Sequence, residues 1–338
     1  ICKELQKKGK LTLVGDGRCD SPGHSAKYLT YSLMDMGTSK IVTSSIIQVT
    51  EVGASQRMEK EGFIRSMDSV IEKLDVAVVA TDQHPQIATL MKTDKYKVEH
   101  QFDIWHFVKS VRKKLTAKAK VRGCEGLGMW IKSITLHIWW CAVKCEGNSQ
   151  KMKEMWLSMQ HHIANNHSWD TAEIFHCCDR GELSNNDKEE IVWLEVDSPA
   201  HDALRSVLND KRLLKDLAHL TQFCHTGMLE VYHALLTKHC PKRQHFGYKG
   251  MVARTQLAAM DFNDNVGRAQ AVHKKKGKLR LKSVCLKQDK RRHVQPILKA
   301  KTLDHAHRMM KSLAESEGKH EGKMEREIDR DGLVRRLL

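Results

Sequence analysis

The chain has 338 residues, of which 41% are hydrophobic and 29% charged, a balance that excludes a disordered or fibrous protein and, at about 150 residues per domain, suggests two domains or one with a large insertion. No apolar run approaches the ~20 residues needed to span a bilayer, and no signal-peptide pattern precedes the first strand; the sequence opens on Ile1 and reads as truncated at its start. A formal charge of +16 points to a polyanionic partner such as nucleic acid, because clustered Lys and Arg release its counterions.

The first element is the aliphatic run from Leu11 to Val14, which leaves through Gly15-Asp16-Gly17-Arg-Cys-Asp20-Ser-Pro-Gly-His24. A buried strand bounded by glycine delivers its next carboxylate, Asp16, to the sheet's carboxyl end; Asp-Gly is equally a common turn. The segments from Lys27 to Met34 and from Lys40 to Thr50 continue as strands around Asp35-Met-Gly37, giving an antiparallel meander. From Ser55 to Leu74 the apolar residues Met58, Phe63, Ile64, Met67, Val70, Ile71 and Leu74 mark a helix. The run from Asp75 to Thr81 then repeats the opening layout, a buried strand ending on an acid, Asp82, with Pro85 placed to open a helix over residues 86–91. A short strand over Val98 to Phe102 leads into a basic helix from Trp105 to Lys118.

Three antiparallel strands, helix, strand, helix, strand, helix is the order of a ribonuclease H-like fold, an α/β architecture with a mixed five-stranded sheet and flanking helices. A right-handed crossover then sets the strand ending on Asp82 beside the first, making Asp16 and Asp82 neighbours. Two carboxylates at one sheet edge can hold divalent cations, and through them phosphates.

From Arg122 to about Gln222 the chain turns helical and aromatic, with Trp130, Ile134, Ile138 and Cys141, then Met152, Met155, Trp156 and Met159, at core-like helical spacing. Residues 180–190 read as a polar loop, and Ser198-Pro199 caps a helix over 200–208. One or two helices follow from Leu213 to Cys240, with Gly227 setting Glu230 in a first turn, where the helix dipole favours a carboxylate. The stretch from Pro241 to Gly250 is a basic loop with two aromatics, and residues 253–260 form a short helix. The run from Lys274 to Arg292 is almost free of acids and reads as a solvated tail, a nuclear-import signal or a DNA contact; beyond Ser312 a frayed helix or disordered tail is expected.

The ten cysteines are scattered without a secreted disulfide framework, and most are expected to be reduced. Cys141, Cys145, His161, His162, His167, His176, Cys177 and Cys178 form a Cys/His-rich group. Cys141 and Cys145 lie one helical turn apart, and four N or S ligands close a structural zinc site, but no standard finger spacing is present; buried thiols and surface histidines are the alternative.

Several motifs together carry a resemblance: Gly15 to Lys27, Ala80-Thr-Asp82-Gln-His84, His100-Gln-Phe-Asp103-Ile-Trp-His106, Thr226-Gly-Met-Leu-Glu230-Val-Tyr-His233, and His239 to Arg243. Over about residues 10–269 the chain resembles eukaryotic cut-and-paste DNA transposases of the Kolobok-like group, similar in catalytic core to the P element and hAT superfamilies. The resemblance implies an acidic triad of Asp16, Asp82 and Glu230 holding Mg²⁺ or Mn²⁺. It matches Asp103 to His106 with a Cys/Asp-x-x-His motif and makes the helical stretch an insertion in the core. It also implies double-stranded DNA as partner, a homo-oligomer, a nuclear location and a separate N-terminal DNA-binding module, often a zinc-containing one.

The domain reading is accordingly 1–120 for the first part of the core, 121–222 for the insertion, 223–270 for the catalytic helix region and 271–338 for a basic, partly disordered tail. Asp20, His84, Asp103 and His106 are expected around the metal ligands, with Glu195 and Asp261 as weaker substitutes for Glu230. Lys242, Arg243, Lys249, Lys274, Lys275 and Lys276 are expected to contact DNA. A silent transposase-derived DNA-binding scaffold and a water-using nuclease of the same fold are the competing readings.

Overall fold

A computed structural model of the chain describes residues 1–21, 25–179, 191–275, 277–285, 292–312, 314 and 315. The Pro22 to His24 end of the first motif, the expected loop over 180–190, Lys276, the basic residues 290 and 291, and nearly all of the tail expected from Ser312 lie outside the described residues.

The described chain forms two compact units, one of residues 1–38 with 42–233 and one of residues 39–41 with 234–338. In the first, helix α1 (Cys2–Gln6) precedes strands β1 (Leu11–Cys19), β2 (Tyr28–Asp35) and β3 (Lys40–Gln48, whose first two residues belong to the second unit), helices α2 (Val49–Val52) and α3 (Ser55–Ile71), strand β4 (Val76–Thr81), helix α4 (Pro85–Leu90), strand β5 (Glu99–Phe102) and helix α5 (Ile104–Lys118). The strands make one mixed five-stranded sheet in the order β3-β2-β1-β4-β5, with β1 antiparallel to β2 and β1, β4 and β5 mutually parallel. The expected α/β meander and parallel pair are therefore present.

One expectation is corrected at β1. The strand does not leave through a turn at Asp16-Gly17 but stays paired with β2 as far as Cys19↔Leu29, with Asp16 opposite Ser32. The glycines at 15 and 17 serve packing: Tyr31 lies across them, and a Cβ on Gly15 would meet the Tyr31 hydroxyl at 2.6 Å. Tyr31 is fully buried, with Phe63 of α3 edge-on to its ring at 5.8 Å. Helix α3 buries Met58, Phe63, Met67 and Val70 on this face, and Gly62 lets its backbone come close. A Cβ at Gly62 would stand 2.6 Å from Tyr31 Cβ, next to the β2 backbone and unable to swing aside. Gly62→Ala is expected to destabilise the unit by roughly 1–3 kcal/mol, the usual range for overpacking, as read from a denaturant midpoint; an unchanged midpoint would mean the helix can lift off the sheet freely.

Helices α6 (Leu127–Lys144), α7 (Ser149–Leu157), α8 (Met159–His162), α9 (Pro199–Leu208) and α10 (Lys211–Asp216), with a 3₁₀ turn at Leu217–Leu220, follow α5. They share one apolar core with α5, built on Phe107, Val111 and Leu115 against Leu127, Ile134, Trp156, Leu204 and Leu217. The expected cap is present: the His201 N–H donates to Ser198 Oγ at 3.3 Å, with Pro199 in the first turn. Cys141 and Cys145 are both fully buried in this core, which corrects their expected part in a zinc site; the Cys145 thiol donates to the Thr221 carbonyl, and burial pushes both thiols up from their ordinary value.

Helix α11 (Gly227–His239) begins in the first unit, with Glu230 in its first turn as expected. In the second unit, helix α12 (Tyr248–Asn265) is longer than the predicted 253–260, and Asn263 pairs with both backbone groups of Ile41 at 2.7 and 2.9 Å. The stretch read as a basic tail contains an antiparallel hairpin of β6 (Leu281–Cys285) and β7 (Arg292–Pro296), and 304–312 are helical. Among the described residues no helix is long and apolar enough to cross a membrane.

Candidate metal centre

Strand register places the acids. Val14 of β1 pairs with Ala80 of β4, and Thr81 of β4 pairs with Phe102 of β5. Counting two residues past Val14 and Ala80 brings Asp16 and Asp82 to the same level and, because alternate residues share a face, to the same side of the sheet. Asp103 follows β5 at that level too, its N–H donating to the Thr81 carbonyl at 2.7 Å.

Asp16 is only 17% exposed at its side chain; its Oδ1 accepts the Gly17 N–H at 2.8 Å, and His233 Nδ1 stands 3.5 Å from Oδ2. Burial, followed by the charges of Asp82 and Glu230, pushes its carboxyl up to about 7. The charges of Asp82 and Glu230 therefore reach Asp16, which puts the three acids expected to work together in one electrostatic neighbourhood. Glu230 is exposed, where a substrate can reach it, and its N–H donates to the Thr226 carbonyl as α11 begins. Asp82 Oδ1 accepts the His84 N–H at 3.1 Å, as α4 opens.

A fourth carboxylate joins them that the sequence reading missed. Glu59, on the second turn of α3, lies 3.9 Å from His84 Nε2, and its Cγ would meet a Cβ on Gly17 at 3.1 Å. Burial and the charges of Asp82 and Asp16 push it up to about 8. The signal for it was slender: an acid inside the apolar stripe of a helix. His233, three residues after Glu230 on α11, was likewise missed.

The residues expected around the ligands divide. His84 is beside Glu59, and His106 is near the acids. Asp103 has both its oxygens engaged within the fold. It is fully buried, caps α5 by accepting the Trp105 and His106 N–H groups, accepts the Thr226 N–H at 3.0 Å and grips His106 Nδ1. Burial alone would raise this carboxyl, but those hydrogen bonds hold it below the usual carboxylate range, and its own bond raises His106 in turn. Asp20 Oδ1 accepts the Lys27 N–H at 3.1 Å. Glu195 lies in the segment before α9, and Asp261 of the second unit is occupied by Lys301 at 3.0 Å.

Next to Glu230 is a cavity of about 660 Å³ lined by Trp105, Trp139, Phe223, His225 and Thr226. Trp105 is 49% exposed, and Trp139 and Phe223 meet edge to face at 5.9 Å.

Carboxylate oxygens are the donors that hard divalent ions take, although among the described residues no three of Asp16, Asp82, Glu59 and Glu230 bring their ligand atoms all within 4.8 Å of one another. Carboxylate oxygens of Asp16, Asp82, Glu230 and Glu59 come from separate elements, and their mutual repulsion is the kind a dication relieves. Without such an ion, the folded chain holds protons on Asp16 and Glu59 that the unfolded chain, at 3.8 and 4.5, releases. Stability is therefore expected to fall as pH rises from about 4 to 8, with the loss complete above the raised values. Mg²⁺ at ten times its Kd is expected to restore about 1.4 kcal/mol, roughly 3–5 °C in melting temperature, at about pH 8 and much less at about pH 5. Asp16→Asn should flatten the pH slope; a scanning-fluorimetry series with equal slopes would count against this electrostatic picture.

Lys242, Arg243, Lys249, Lys274 and Lys275 are exposed in the second unit. No protein-family model matches the chain, and no curated protein matches it.

Proposed function

We propose that this chain carries the catalytic core of a DDE-type DNA transposase, a ribonuclease H-like polynucleotidyl transferase that cleaves DNA strands and joins 3′ ends to a target. The observation that carries the reading is the level placement of Asp16 on β1 and Asp82 just past the end of the adjacent parallel β4, with Glu230 close enough to raise Asp16. Mg²⁺ or Mn²⁺ held by these acids would activate the attacking water or 3′-hydroxyl and offset charge on the leaving oxygen.

The chain's own groups supply the rest. His106 is held by Asp103, whose hydrogen bond raises it, so a proton kept on its ring would favour an incoming phosphate beside the acids. Asp103 ties the start of α5 to Thr226 just ahead of α11, so that one buried carboxylate positions both His106 and Glu230. Trp105, Trp139 and Phe223 form a surface on which an unstacked base can lie; such stacking is worth about 1–3 kcal/mol per base. The exposed lysines and arginines of the second unit and the net charge of +16 suit double-stranded DNA in the nucleus.

One observation favours a second reading. Glu59 is an acid beyond the triad, and a larger carboxylate set serves equally well when water is the nucleophile, which would make the chain a nuclease. The experiment that separates them incubates the chain with a labelled oligonucleotide bearing a 3′-hydroxyl, supercoiled plasmid and Mg²⁺ or Mn²⁺. Label joined to plasmid supports the transferase, nicked plasmid without joined label supports the nuclease, and neither product with either ion supports a silent scaffold.

A further inference from the structure

We propose that His162, His167 and Cys178 bind one zinc ion that fastens a short hairpin to the end of helix α8. This site is independent of the carboxylate centre and of the function assigned to it. The ligand atoms of the three side chains all lie within 4.8 Å of one another, and each residue is partly buried. His162 Nδ1 is 3.3 Å from Cys178 Sγ, and the two histidine rings stand 5.0 Å apart at 72°. Donors around a tetrahedral zinc, at about 2.0–2.3 Å from the ion, are separated by roughly 3.3–3.8 Å, so only small side-chain shifts close the set.

The backbone builds this convergence. Asn165, with a φ of 58°, takes the left-handed conformation that turns the chain back after α8. Residues 167–178 then fold on themselves: the Cys178 N–H donates to the His167 carbonyl at 3.0 Å, the Trp169 N–H donates to the His176 carbonyl at 2.8 Å, and Ser168 bridges Cys177. The Ile174 and Phe175 N–H groups donate to Glu154 Oε2 on α7 at 2.7 and 3.0 Å, holding the far end of the hairpin. His167 and Cys178 thus face each other across a paired backbone, with His162 supplied by the helix.

The nearby groups orient the ligands. His167 Nε2 is 3.2 Å from Asn165 Oδ1, a contact that helps hold the ring in place. Trp193 packs near both histidine rings, at 6.1 and 5.8 Å. Adjacent residues of an extended segment point to opposite sides, so Cys177 is exposed while Cys178 turns inward. Two imidazoles and a thiolate select zinc over Mg²⁺, which prefers oxygen. Asp179, on the wall of the same 520 Å³ cavity as His162 and Cys178, or a water, completes the tetrahedron. Binding releases the Cys178 thiol proton to solvent, so affinity rises with pH.

The test is metal analysis of the full chain purified without chelator, with Co²⁺ exchange as a spectroscopic probe. One zinc per chain is expected, with a thiolate-to-cobalt charge-transfer band after exchange. Cys178→Ser and His162→Ala should each lower zinc content at least about tenfold, whereas Cys177→Ser and the buried Cys145→Ala keep it. Chain without zinc, or zinc retained in Cys178→Ser, overturns the proposal. Should Cys178→Ser fail to fold, the Cys177→Ser chain decides: a charge-transfer band there supports Cys178 as ligand, and bound cobalt without one overturns it.

Discussion

Asp82→Asn is expected to lower metal-dependent cleavage and joining of DNA by more than about a hundredfold while leaving the fold intact. Substituting even an outer partner of a metal ligand usually costs about 10–100-fold, and Asp82 is proposed to touch the ion itself. The amide keeps the acceptor for the His84 N–H but removes the charge that the ion needs. Asp16→Asn and Glu230→Gln should behave alike, because a shared ion is lost whichever donor goes. Glu59→Gln should fall short of them, by roughly 10–100-fold, if its carboxylate acts on the ion through water or His84. Asp20→Asn is the control, since its Oδ1 accepts the Lys27 N–H. Joining assayed on supercoiled plasmid with Mg²⁺ and Mn²⁺ checks the series, and an Asp82→Asn chain as active as wild type would remove the carboxylate centre from the chemistry.

The largest stability effect is expected from Asp103→Ala. The change removes the α5 cap, worth about 1 kcal/mol, and strands the buried Thr226 N–H, at a further 1–3 kcal/mol. A loss of about 3 kcal/mol corresponds to roughly 6–12 °C in a unit of this size. Its pH dependence identifies the cause. The folded Asp103 carboxyl is held below its ordinary value, so its contribution is fully present above the unfolded pKa of 3.8 and disappears as pH falls through the lower folded value. The gap between wild type and Asp103→Ala should therefore be full at neutral pH and narrow in acid, and equal gaps across that range would rule out the carboxylate as the source. His106, deprived of its partner, should also titrate lower, which can be followed by NMR of its ring.

Local chemistry made much of this legible in the chain itself. Short aliphatic runs ending on Asp16 and Asp82 announce strands that bring acids to an edge, Ser198-Pro199 announces a capped helix, and Gly227 announces Glu230 in a first turn. These features depend on neighbours within a few residues, where spacing and propensity act. The meander and the parallel crossover followed from the order of such elements. The reading at Asp16-Gly17 held two outcomes, and pairing with β2 as far as Leu29 decided for the strand.

What local pattern could not supply is which side chain fills which role once distant segments meet. Glu59 and His233 look like ordinary helix residues until α3 and α11 converge on β1. Asp103 gives no sign that Thr226, more than a hundred residues later, will use one of its oxygens. Cys141 and Cys145 have helical spacing suited to a metal, yet the same spacing turns both into the core.

The sequence by itself determined the strand ends, the helix starts and the residue types offered at each. Tertiary structure alone decided that the charge of Glu59 reaches Asp16 and Asp82, and that Cys178 rather than Cys141 meets His162 and His167. The reason is physical: hydrogen bonding and side-chain periodicity act between neighbours, whereas burial and Coulomb forces act between whatever the folded backbone brings within a few ångströms.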